Sequence, residues 1–270
     1  MRKMTLAVFA FVCCALTLHT QARAQDWAKE RLEKSPRHQE WVDIKYGNRV
    51  VHAFVVYPEV KSKAPAVLVI HEIFGLTDWA RSAADQVAAA GYVAIAPDLL
   101  SGFGSKGGGT GDFASTDDAV KAVSALDPDV VTADLNATAD YVKKLPAVNG
   151  KLAVAGFCWG GGQSFRFATN RHDLSAAFVF YGPPPKDVSG ITAPVYGFYA
   201  GNDARIGATI PDTIAAMKRA GKKFEPVTYD GAGHGFMRAG EDPTKTTGNE
   251  ANVKAREEAW VRWKALLKGM

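Results

Sequence analysis

Residues 66–70, Ala-Val-Leu-Val-Ile, form an unbroken apolar run, and similar runs recur at 92–96, 152–155, 176–181, 195–200 and 225–229. A strand apolar on both alternating faces belongs in a sheet covered on both sides. Between these runs, residues 79–90, 130–144, 161–169, 211–220 and 250–267 carry helical periodicity. Strands alternating with helices impose right-handed crossovers and a mainly parallel sheet. Residues 41–46 and 50–57 flank Gly47-Asn48, a hairpin turn signal. The expected class is therefore α/β: a mostly parallel central sheet, helices on both faces, and an antiparallel hairpin at the N-terminal edge. The charged stretch 26–34 reads as a short surface helix. Residues 101–112 hold six glycines in twelve positions and read as a flexible surface loop after a strand, where α/β sheets border their ligand crevice. Nothing resembles an interdomain linker, so residues 25–270 are expected to form one domain.

The first 24 residues read differently. Arg2 and Lys3 precede a 14-residue uncharged run from Thr5 to Leu18, and Ala22-Arg23-Ala24 supplies a small-x-small cleavage site. This is the pattern of a secretory signal peptide, and the run is shorter than the ~20 residues a bilayer span needs. The expected mature chain starts at Gln25 and is periplasmic or secreted, without a membrane anchor. Removing Arg2, Lys3 and Arg23 from 32 basic residues leaves 29 against 28 acidic ones, a net charge of +1. That balance gives no electrostatic reason to bind nucleic acid. With 47% apolar and 22% charged residues, the chain is neither disordered nor a polytopic membrane protein. A chain this long needs no disulfide or metal to fold, and a monomer is expected.

Cleavage also removes Cys13 and Cys14, leaving Cys158 as the one thiol. It lies in Gly156-Phe-Cys158-Trp-Gly160, after an apolar strand and before a helix. This is the nucleophile-elbow pattern with cysteine in place of serine. Glycines permit the tight turn, and the helix N-terminus favours a thiolate. The Trp159 N–H that follows can face a developing oxyanion. A small buried hydrophobe beside a glycine-rich helix start is the alternative.

Of the remaining histidines, His38 precedes the first strand, His52 lies in the hairpin and His172 stands at a helix end, and all three read as structural or solvated. His234 lies in Asp230-Gly-Ala-Gly-His-Gly-Phe236, just past the last expected strand, where a general base would be delivered. Asp203 follows strand 195–200 and a Gly-Asn turn, and would fix the imidazole tautomer. The order Cys158, Asp203, His234 is the nucleophile–acid–base order of α/β-hydrolases. Glu72 comes straight after the central apolar run and His71, so it either has a specific partner or a raised pKa near the nucleophile, or faces solvent. No H-E-x-x-H or paired-cysteine pattern is present, so neither metal nor cofactor is expected.

His71-Glu-Ile-Phe-Gly75, Ala96-Pro-Asp-Leu99, Gly156-Phe-Cys-Trp-Gly-Gly161, Gly201-Asn-Asp203 and Gly233-His-Gly-Phe236 together resemble the dienelactone hydrolase (carboxymethylenebutenolidase) family. The resemblance implies an α/β-hydrolase fold and a Cys158–Asp203–His234 triad. It implies that Glu72 contacts the resting thiol and helps deprotonate it, and that Ile73 and Trp159 N–H groups form the oxyanion hole. It implies Arg238 as one of two arginines that hold a substrate carboxylate; the other position is Gly102 here. The expected activity is hydrolysis of a small ester or lactone through an acyl-enzyme. A thioester or small-peptide substrate, or an exported thiol sensor without enzymatic activity, are the competing readings.

Overall fold

The computed structural model describes residues 25–270; the expected leader, 1–24, lies outside the described residues. Eight strands form one sheet: β1 (Gln39–Tyr46), β2 (Arg49–Val56), β3 (Ala64–Ile70), β4 (Val93–Pro97), β5 (Val148–Phe157), β6 (Ala176–Phe180), β7 (Val195–Ala200) and β8 (Phe224–Tyr229). Their spatial order is β1-β2-β4-β3-β5-β6-β7-β8. The hairpin β1–β2 and the β2–β4 pair are antiparallel, and every other pair is parallel. The architecture is the expected one, with strand bounds shifted by a few residues.

The pleat sends alternate residues of each apolar run to opposite layers. In β3, Val67 and Val69 enter one core, while Ala66, Leu68 and Ile70 enter the other. The first core packs under α1 (Asp26–Glu33), α2 (Asp78–Ala89) and the long C-terminal helix Glu250–Lys268. Trp79, Phe157, Phe180 and Trp263 meet there edge to face or tilted, with centroids 4.7–6.0 Å apart. The second core packs under Pro128–Lys144, Trp159–Asn170 and Ile210–Arg219. Among the described residues no helix is long and apolar enough to cross a membrane.

Four helices follow α2 before the C-terminal half closes: α3 (Thr116–Ser124), α4 (Pro128–Lys144), α5 (Trp159–Asn170) and the short α6 (Ala204–Gly207). Then come α7 (Ile210–Arg219), α8 (Phe236–Ala239) and α9 (Glu250–Lys268). Helix α3 lies outside the helical segments expected from the sequence; only Ala119 and Val123 of its nine residues are buried.

The glycine-rich segment lies at the surface as expected, but hydrogen bonds fix it. Asp98 at the end of β4 accepts from the Thr110 N–H at 2.7 Å, the Thr110 hydroxyl at 2.8 Å and the Leu100 N–H at 3.0 Å. The Thr110 hydroxyl accepts in turn from the Leu76 N–H at 2.9 Å, tying the segment to the loop after β3. Asp112 accepts from the Gly108 N–H at 3.0 Å. Ser101, the first residue of the segment, is fully buried.

Candidate active site

The turn from β5 into α5 is tight enough to hold Cys158 at φ +56°, ψ −117°. A non-glycine residue with positive φ is strained and persists only when its surroundings over-determine it. Here the Cys158 N–H donates to Phe180 O at 3.0 Å, and Cys158 O accepts from the Gly161 N–H at 3.0 Å. A Cβ on Gly156 would lie 1.9 Å from Gly160 O, and one on Gly160 would lie 2.3 Å from His71 O. The first glycine thus lets strand and helix meet, and the second lets α5 sit on the end of β3. Gly156→Ala is expected to cost about 3 kcal/mol or more, since such overlap cannot relax without moving backbone. Gly207→Ala, which meets nothing within 4 Å, should be near neutral. Urea midpoints of the two variants check this.

The Cys158 thiol is partly exposed, and its Sγ lies 3.1 Å from His234 Nε2. His234 Nδ1 lies 2.5 Å from Asp203 Oδ2. A carboxylate only accepts, so Nδ1 carries the proton and Nε2 faces sulfur. The hydrogen bond to Cys158, and after it the one to Asp203, push the His234 pKa up to about 9 against the opposing effect of burial. Asp203 is buried, and its Oδ1 also accepts from Ile206 N–H at 3.3 Å, capping α6.

Two asparagines hold the His234 loop. Asn252 on α9 accepts from the Gly233 N–H at 2.8 Å. Asn202 donates its backbone N–H to Ala232 O at 2.8 Å and its side-chain amide to Gly231 O at 3.0 Å. Asn202 stands beside Asp203 in the Gly-Asn-Asp turn, which is a usable signal; Asn252 lies inside a long helix and gives none. Tyr181, at φ +43°, packs edge-on against His234 with centroids 5.1 Å apart, and the sequence does not mark it either.

Glu72 is buried at the end of β3 and accepts from Arg238 Nε at 2.8 Å. Burial raises its pKa, and Arg238 and His234 pull it down, leaving a net upward shift. The expected resting contact from Glu72 to the thiol is therefore not the arrangement present: Glu72 faces Arg238, and sulfur faces His234. The Arg238 guanidinium also lies over the Phe74 ring, 5.2 Å from its centroid. Ile73, in the loop after β3, and Trp159, which opens α5, both pack on the small cluster of Leu100, Ala119 and Val123, and neither backbone N–H is taken by another group among the described residues.

Gly102 is exposed, has φ +79°, and a Cβ there would lie 3.7 Å from Arg49 Nη1. The cation of that corner is thus Arg49, which donates to Asp134 through Nε and Nη2 at 2.6 Å each. Tyr46 donates to the same carboxylate. His52 pairs with Asp43 at 2.6 Å on the hairpin surface, as a solvated residue would. His71 is the buried exception among the described histidines.

Residues 51–270 match the model of the dienelactone hydrolase family. A Salmonella typhi protein provisionally named carboxymethylenebutenolidase is 33% identical over 199 residues, covering 68% of this chain and 72% of that one. The carboxymethylenebutenolidase of Pseudomonas putida is 28% identical over 218 residues, covering 78% of this chain and 88% of the relative. Among solved structures, a Klebsiella pneumoniae protein provisionally named dienelactone hydrolase superposes with a TM-score of 0.74 at 25% identity. That superposition covers 87% of this chain and 99% of the other.

Proposed function

Because this chain belongs to the dienelactone hydrolase family and is a hydrolase of ester or lactone bonds, we propose that it works by a Cys158–His234–Asp203 triad without a cofactor. The observation that carries this reading is the unbroken line of contacts, 3.1 Å from Cys158 Sγ to His234 Nε2 and 2.5 Å from His234 Nδ1 to Asp203 Oδ2. In it, the Cys158 thiol gives its proton to His234 Nε2 and its sulfur attacks the substrate carbonyl carbon. The carbonyl π pair moves to oxygen and is held by the Ile73 and Trp159 N–H groups. Collapse expels the alkoxide, which takes a proton from His234. Water, deprotonated by His234, then releases the acid from Cys158 and restores the thiol. Asp203 holds the imidazole tautomer throughout.

Arg238 is the candidate to meet a carboxylate on the substrate. A substrate anion arriving there competes with Glu72 for one guanidinium, since Glu72 already holds Nε. Glu72 released in this way would turn toward the thiol and help it lose its proton to His234 Nε2. The protein is further read as an exported monomer that starts at Gln25.

One preparation tests the reading. The full chain is expressed with its leader in a bacterial host, and the exported fraction is collected and mixed with an activated ester whose acyl group leaves slowly. Intact mass should show a chain starting at Gln25 that gains one acyl group, and peptide mapping should place that group on Cys158. Sedimentation of the same material should give one chain. An acyl group on another residue, or turnover with no trapped adduct, sinks the cysteine mechanism; an unprocessed N-terminus sinks export.

A further inference from the structure

His71 is fully buried at the end of β3, and the mechanism above does not use it. Its Nδ1 lies 2.7 Å from Glu72 O, the shorter of the two hydrogen bonds that this oxygen accepts; the other comes from the Gly75 N–H at 3.2 Å. Its Nε2 faces the Leu99 N–H at 3.4 Å, just past the end of β4. Its ring stacks on the Trp159 ring, with centroids 5.5 Å apart and planes 13° apart. These contacts assign the tautomer: a carbonyl and an N–H demand one donor and one acceptor, which only neutral, Nδ1-protonated imidazole supplies. Burial lowers the His71 pKa, against a nearby Asp98 that raises it, and so keeps the ring neutral.

The carbonyl of Glu72 and the N–H of Ile73 belong to one peptide plane, in which the two point in opposite directions. A hydrogen bond on the oxygen therefore sets where the N–H points. It also polarises the amide and strengthens the N–H as a donor. We propose that His71 is a positioning residue, which pins the Glu72–Ile73 peptide so that the Ile73 N–H faces the carbonyl oxygen under attack. The inference rests on the acyl-transfer reading above. Because the ring is sealed from solvent, His71 acts through this peptide and not on substrate.

The test uses the exported chain with His71→Asn and His71→Leu. The asparagine amide can occupy the Nδ1 position and donate to Glu72 O; leucine of similar volume cannot. Losing an oxyanion donor outright costs about 100- to 1000-fold in kcat, so misaiming one donor should cost about tenfold or more. His71→Leu is thus expected to lower kcat about tenfold or more with KM within about twofold, and His71→Asn to recover most of the loss. If His71→Leu does not fold, His71→Gln replaces it, because its amide reaches toward Leu99 and leaves Glu72 O with only the longer bond from the Gly75 N–H; the same loss is expected.

Two reagents read the cause. A trifluoromethyl ketone is attacked by the Cys158 sulfur, its π pair moves to oxygen, and the resulting anion needs the oxyanion donors. Its affinity should fall in step with kcat. Iodoacetamide alkylates the same sulfur with loss of iodide and forms no oxyanion, so its rate should stay within about twofold of wild type. Unchanged kcat and ketone affinity in His71→Leu, or in His71→Gln in its place, would overturn the proposal, as would a His71→Asn variant as impaired as either. Failure of the acyl-transfer reading looks different: wild type alkylated on Cys158 would keep its turnover.

Discussion

Replacing Cys158 with alanine is expected to lower kcat/KM for ester hydrolysis by at least about ten-thousand-fold, because no other group can form the acyl intermediate. The melting temperature should stay within about 2 °C, since the side chain is partly exposed and a one-atom truncation there touches little of the core. Cys158→Ser should retain a trace of turnover. Both N–H groups remain in place, but a hydroxyl is a poorer nucleophile beside an imidazole that serves a thiol. More than a few per cent of wild-type activity in the alanine variant, measured on material shown by mass to be free of wild-type enzyme, would end the assignment.

The second large effect is a failure of additivity. His234→Ala and Asp203→Asn are each expected to reduce kcat by roughly a thousandfold or more, and the double variant should be no worse than the weaker single within about fivefold. Asparagine is the right replacement at 203. Its oxygen can still cap α6 at Ile206, where alanine would add about 1 kcal/mol of lost capping to the measurement. The asparagine amide presents a donor or a neutral acceptor to Nδ1, so the imidazole loses both its fixed tautomer and the charge that stabilises its cation. Multiplying losses in the double variant would mean that the two side chains work separately.

The triad candidates were legible because each sits in a short turn with its own chemistry. Gly156-x-Cys158-x-Gly160, Gly201-Asn-Asp203 and Gly233-His-Gly235 each pair a reactive residue with the glycine its backbone needs. The sheet was legible because runs such as 66–70 feed two cores at once. What the sequence hid was contact across long separations. Asn252 holds Gly233 from a helix whose own pattern marks it as an ordinary polar position. The glycine-rich segment reads as flexible because its anchors, Asp98 and Leu76, lie outside it. The Glu72–Arg238 pair joins residues that no local pattern couples, and it changes which neighbour Glu72 meets at rest.

Glu72 is gripped at two points of different kind: its carboxylate by Arg238, and its carbonyl by His71 and the Gly75 N–H. The two grips separate side-chain torsion from backbone torsion. A carboxylate that changes partner can turn about its own χ angles while the peptide behind it stays still. Residue 72 can therefore act like a key turning in a fixed lock plate, with the Ile73 N–H mounted on the plate.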